Sequence, residues 1–240
     1  MSERSTGPYV PALALRVGVS GHRDLSPAAR DALAPRLAAL LAEIAGIADA
    51  IVDEPGSLYA PRAARLSLVS QLASGVDQIA ARAALDAGFA LTTVLPFARD
   101  EFSEDFDEAS RPAFDALIAQ SAECWILPGD RAQSDAAYAL AGEATVAQSD
   151  LLVAVWNGLP ARGLGGTADV VDYAVRRGIP VLHIPLDESP PHLLWSALDG
   201  LPPVLFHRHD VPRRPLTTET LNAALRRKAL PAGEIERLRL

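Results

Sequence analysis

At 240 residues, with 49% hydrophobic and 22% charged residues, the chain suits one large α/β domain or one domain with an appendage. Its net charge of -8 argues against a general nucleic-acid binder, which normally shows a basic face. The single Cys124 excludes an internal disulfide and a cysteine-based zinc site, and no apolar run reaches the roughly 18 residues of a membrane span.

Residues 1–12 read as a flexible N-terminus. Met1 to Pro8 is polar and lacks the apolar core of a signal peptide, so a cytoplasmic location is expected. Leu13 to Ser20 reads as a first strand. A helix follows from Ser26 to Ile47, with Ser26 as N-cap and Pro27 at the first helical position. Asp49 to Arg62, with Pro55-Gly56 and Pro61, reads as an irregular excursion. Arg65 to Gln71 is a second strand, and Gly75 to Ala87 a helix closed by Gly88. Ala90 to Leu95 is a third strand, stopped by Pro96. Phe102 to Ser121 is mostly helical, with Pro112 at a break or a new first turn. Ala122 to Leu127 is a fourth strand, in which Cys124 is expected to be a buried small hydrophobe. Gln133 to Gln148 is a helix, Leu151 to Trp156 a fifth strand, Asp169 to Arg177 a helix and Pro180 to Pro185 a sixth strand. The tail is proline-rich. Leu201 to Phe206 reads as a short edge strand and Thr217 to Ala229 as a capped helix, ahead of a final Pro231 to Leu240 segment.

Strands separated by helices imply a doubly wound, mostly parallel sheet with helices on both faces, a Rossmann-like α/β fold. The expected division is a domain over 13–210 and a C-terminal helical extension over 211–240. Ligands of such sheets bind beyond the carboxyl ends of the strands, where the strand order switches. The residues after each strand are therefore the candidates.

After strand one stand Ser20, Gly21, His22 and Arg23. Gly21 permits a tight turn, Arg23 offers a planar fork to phosphate, and His22 can stack, hydrogen-bond or move a proton. After strand two come Ser74, Gly75 and Asp77, with Asp77 suited to ribose hydroxyls because a carboxylate repels phosphate. After strand three come Pro96 and Phe97, with Phe97 placed to flank a base. Glu104, Asp105, Asp107 and Glu108 form an acidic run expected to be a solvated face. No metal site and no cofactor are called for. After strand five come Trp156 and Asn157, then the glycine loop Gly163-Leu-Gly165-Gly166-Thr167-Ala168. Glycines let backbone approach a ligand, and the free N–H groups of a first helical turn point at an anion. Gly165, Gly166, Thr167 and Ala168 are the expected phosphate cradle. Tyr138 and Gly142 face the same cleft on this reading, and His183 is a core or rim residue.

Val17-Gly-Val-Ser-Gly-His-Arg23, Ala73-Ser-Gly-Val-Asp77, Leu95-Pro-Phe97 and Gly163-Leu-Gly-Gly-Thr167 occur in that order. Together they resemble the SLOG superfamily, over about residues 13 to 186. That group comprises Rossmann-like domains related to the Lonely Guy phosphoribohydrolases, to the DNA-processing protein DprA and to the nucleotide-binding domain of TRPM channels. The resemblance implies a nucleotide-derived ligand at the glycine loop, often in a sensing role, and carries a homodimer as an expectation. The enzymatic relatives place a glutamate three residues past the threonine. This chain has Val170 there, so catalysis would need another group, with Asp77, Asp169 and His22 as candidates. The expected function is a nucleotide-binding, sensor-type domain with no nucleic-acid partner. Cleavage of an N-glycosidic bond is the alternative.

Overall fold

The structure, a computed structural model, describes residues 10–108, 110–161, 163–187, 189–195 and 207–230. The expected flexible N-terminus, but for its last residues, the edge strand at 201–206 and the segment 231–240 lie outside the described residues. The elements run β1 (Ala14–Gly21), α1 (Pro27–Asp53), β2 (Arg65–Ser70), α2 (Val76–Asp86), β3 (Ala90–Leu95), α3 (Arg99–Ser103), α4 (Arg111–Gln120) and β4 (Glu123–Ile126). They continue with a short 3-10 turn, then α5 (Ser134–Ala147), β5 (Leu151–Val155), α6 (Thr167–Arg176), β6 (Val181–Ile184), β7 (His192–Leu194), β8 (Arg213–Pro215) and α7 (Thr218–Ala229).

Among the described residues, the eight strands form one sheet in the order β4-β3-β2-β1-β5-β6-β7-β8. β1 to β6 pair in parallel, and β7 and β8 add antiparallel ladders at one edge. Strand order runs one way from β1 to β4 and the other way from β5, so the switch point lies between β1 and β5. The Rossmann-like fold read from the alternation is the fold observed.

Alternation along the strands sorts the core into two layers. Leu15, Val17 and Val19 of β1 and Val153 and Val155 of β5 pack with residues of α1, α2, α4 and α7. Leu152, Ala154 and Trp156 turn to the opposite face, against Val170, Val171 and Ala174 of α6. α1 is longer than its sequence pattern suggested. Ile51 and Val52 are buried and carry the helix through to Asp53. Ser26 begins it, its hydroxyl accepting from the Ala29 N–H at 3.2 Å. The mostly helical stretch expected over 102–121 holds two helices, α3 and α4, and Pro112 lies in the first turn of α4, one of the two places expected for it.

Two contacts tie the C-terminal elements down. α7 packs on α1, where Arg226 pairs with Glu54 and the Tyr59 hydroxyl donates to the Ala229 carbonyl. The turn at 208–210 is held to α6: the Arg208 N–H donates to Asp172 Oδ1 at 2.8 Å, and its guanidinium pairs with Asp172 Oδ2. Both side chains are nearly buried.

Cys124 departs from expectation. β4 is an edge strand, so its thiol is exposed rather than buried among apolar neighbours. Among the described residues, no helix is long and apolar enough to cross a membrane.

Candidate functional site

The carboxyl ends of β1, β2 and β5 open into a cleft of about 770 Å³ at the switch point. The β1 end contributes Ser20, Gly21, His22 and Arg23, and the β5 end Trp156 and Asn157. Gly163, Gly165, Gly166, Thr167 and Ala168 form a third wall, and Asp77 lies across from them. These loops, distant in sequence, meet on one side of the sheet.

Gly166 caps α6 with an extended backbone, φ -67° and ψ 164°. Its carbonyl accepts from the N–H groups of Asp169 and Val170 at 2.9 and 3.2 Å. Among the described residues, nothing accepts from the N–H groups of Gly166, Thr167 and Ala168. These orphan donors carry the positive end of the helix dipole. Gly165 differs from expectation. Its N–H donates to Asp169 Oδ2 at 3.1 Å, so it is already satisfied. Asp169 thereby turns back onto its own loop and is committed to holding it.

Gly165 also fixes where the loop lies. Its φ is +82°, and a Cβ there would come within 2.6 Å of the Ala139 backbone nitrogen on α5. Only glycine seats the loop so close to that helix. Gly166 is constrained differently, because its Cβ would strike Ala161 of the same loop at 2.8 Å rather than reach into the cleft. Val170 is buried at the contact with α5, beside Gly142. The position three residues past Thr167 is therefore core here.

The β2–α2 connection is strained. Leu72 has φ 58°, a left-handed conformation for a fully buried leucine. Ser70 Oγ accepts from the Leu72 N–H at 3.0 Å and donates to Asp77 Oδ2 at 3.3 Å. Gly75, at φ +84°, lets α2 start against the carbonyls of His22 and Arg23, which a Cβ would meet at about 2.3 to 2.4 Å. Asp77 is 5% exposed. Burial pushes its carboxyl up to about 7, against opposing pulls from the Arg23 charge, the Ser70 hydroxyl and the N–H groups of Ala73 and Gln71.

Arg23 lies over the Tyr138 ring, 4.5 Å from its centroid, with its guanidinium 3.7 Å from Asp105. Asp105 also takes the Tyr138 hydroxyl and pairs with Arg131 at 3.0 Å. Burial and the Asp105 carboxylate raise Tyr138 to about 12, so its hydroxyl stays protonated. Asp105 is thus a half-buried hub, whereas the sequence placed it on a solvated acidic face. Asn157 accepts the Leu159 N–H on its side-chain oxygen at 3.1 Å. His183 is buried in β6, its Nε2 3.1 Å from the Trp156 carbonyl oxygen. Trp156 is itself buried and closes the cleft floor, with its ring over His183.

Five anticipated residues do not line the cleft, and one of them, Gly142, packs instead against Val170. Phe97 is fully buried among Phe102 and Tyr138, so it cannot flank a base, and Pro96 is buried beside it. Ser74 and Gly75 shape the neighbouring turn. Gln71, Ala73, Asp24, Leu186 and the stretch Leu159, Pro160 and Ala161 line the cleft without having been anticipated, as does Leu164. All follow β1, β2, β5 or β6, so the rule about carboxyl ends, applied more widely, finds them.

No family model and no curated protein matches the sequence. Among solved structures, DNA processing protein A from Helicobacter pylori, described for its single-stranded DNA binding mode, is similar at 16% identity and TM-score 0.46. That match covers 73% of this chain and 67% of the other. DNA processing protein A from Streptococcus pneumoniae is similar at 18% identity and TM-score 0.43, over 71% of this chain and 50% of that one. The chain therefore spans half the length of the pneumococcal protein. The expectation of no nucleic-acid partner is corrected: a protein similar to this chain is described as binding single-stranded DNA, and net charge alone does not exclude that class.

Proposed function

We propose that the chain binds a nucleotide or nucleotide derivative, with a phosphate on the N–H groups of Gly166, Thr167 and Ala168. The supporting observation is that, among the described residues, these three donors have no partner, and that Gly166, Thr167 and Ala168 line a cleft at the switch point of the sheet. Arg23, only loosely held by Asp105 at 3.7 Å, offsets the phosphate charge. Leu159 and Leu164, each 60% exposed on the cleft rim, give an apolar wall for a base. A sensing role fits a cleft whose glutamate position is occupied by buried Val170.

The test is a thermal-shift panel of AMP, ADP, ATP, NAD, ADP-ribose and cyclic nucleotides. A ligand at 100 times its Kd stabilises the native state by about 2.7 kcal/mol, which for a chain of this size means a rise of roughly 5 °C or more. Thr167→Pro is the informative variant. Thr167 is the first helical residue, where proline is well tolerated, and Gly166 already has the extended backbone that precedes proline. The substitution removes one free N–H and leaves the helix intact. Binding should weaken by about 10-fold or more, because hydrogen bonds to charged groups are worth about 1.5–3 kcal/mol. Thr167→Ala, which removes only the hydroxyl, should weaken it less. No shift with any member of the panel would overturn the reading, and release of free base in the same mixtures would favour the cleavage alternative.

A further inference from the structure

We propose that the cleft selects ribonucleotides over 2′-deoxyribonucleotides, with the Asp77 carboxylate accepting hydrogen bonds from the ribose hydroxyls. The inference rests on the phosphate reading above and adds the sugar.

Two opposite walls of one cleft carry opposite chemistry. The α6 end presents donors that have no partner among the described residues, suited to an anion. The α2 end presents Asp77, an acceptor when charged, which repels an anion and attracts hydroxyls. Asp77 belongs to the helix after β2, and the glycine loop follows β5. β2 and β5 flank β1 on either side. Two strand spacings separate them, about 10 Å. In a nucleotide, the sugar with its 5′ ester lies between phosphate and hydroxyls and spans a gap of this kind.

Asp77 is more than nine-tenths buried yet lines the cavity. Among the described residues, the Ser70 hydroxyl reaches its carboxylate at 3.3 Å, and the N–H groups of Ala73 and Gln71 lie beside it. Burial outweighs that hydroxyl and the neighbouring N–H groups. Among the described residues, Arg23 is the charged side chain that lowers it, and Arg23 is partly engaged by Asp105 and Tyr138. A ligand that brings donors to this wall satisfies what the chain leaves short. A ribose brings two vicinal hydroxyls and a 2′-deoxyribose one. A site built to take a substrate hydroxyl discriminates strongly against the analogue lacking it.

The experiment is calorimetric titration at pH 8 with AMP, GMP, CMP and UMP and their 2′-deoxy counterparts. For the best-binding base, the ribonucleotide should bind about 10-fold tighter or more. Asp77→Asn should bring the two to within about 2-fold, while Thr167→Pro should weaken both alike and leave the ratio. Equal affinities in the unmodified chain would overturn the inference alone, as would a ratio preserved in Asp77→Asn. Absence of binding by both series would overturn the phosphate reading and this inference with it. Circular dichroism reports whether Asp77→Asn folds. If it does not, the ratio in the unmodified chain decides by itself.

Discussion

Asp77→Asn is expected to raise the melting temperature of the unliganded protein at pH 8 and to leave it nearly unchanged at pH 4. The reason is linkage. The buried carboxyl is raised from 3.8 to about 7, so between those values the native state holds a proton that the unfolded chain has lost. Stability then falls as pH rises through that window, since the native form binds more protons there. Above pH 7 the buried charge costs on the order of 4 kcal/mol, at 1.36 kcal/mol per pH unit. Asparagine keeps an acceptor for Ser70 and removes the charge. Differential scanning calorimetry at both pH values is the check. A variant less stable than the original at pH 8 would mean that the carboxylate braces the strained Leu72 turn more than it burdens the fold. A gain in stability accompanied by a loss of ribose preference is what a residue retained for binding should show.

The largest destabilisation is expected from Asp172→Ala. Asp172 accepts from the Arg208 backbone and pairs with its guanidinium, and both side chains are nearly buried. Removing the carboxylate leaves a buried cation without its partner and an N–H without its acceptor. Breaking one half of such a pair costs about 3–5 kcal/mol. Chemical denaturation should show the midpoint fall with little change in slope. Arg208→Met, which removes the charge and keeps the apolar stem, should cost clearly less. Equal losses for the two variants would show that packing, and not the orphaned charge, sets the cost.

The contrast between these two buried carboxylates is informative. Asp172 has its cation at contact distance and serves to dock the turn at 208–210 onto α6. Asp77 has Arg23 only at a distance, the Ser70 hydroxyl and the N–H groups of Ala73 and Gln71 beside it, and a cleft in front of it. The first is explained within the fold, and the second is not.

The β1 to β6 strands were legible because each is a short apolar run closed by glycine, proline or a helix cap. The α6 N-terminus was legible for the same reason: glycines followed directly by a helical pattern. β7 and β8 were not. Each has three residues, set among prolines, and their pairing is decided by where β6 leaves an open edge. Phe97 illustrates a second limit. Being next after a strand placed it near the cleft, but its ring had a better place among Phe102 and Tyr138. Asp105 illustrates a third. An acidic run usually faces water, yet this one residue is opposed by Arg131 and Tyr138, whose proximity depends on α5 folding back across the sheet. Asp169 shows that spacing alone misjudges function. It was a catalytic candidate because it stands one residue from Val170, yet its carboxylate is spent on the Gly165 N–H.

The most direct measurement is a ¹H–¹⁵N correlation spectrum of the unmodified chain titrated with the best-binding nucleotide. The account predicts that the amide signals of Gly166, Thr167 and Ala168 move downfield and saturate together, while the Gly165 amide, held by Asp169, moves far less. A nucleotide that binds with those three signals unmoved would contradict the account.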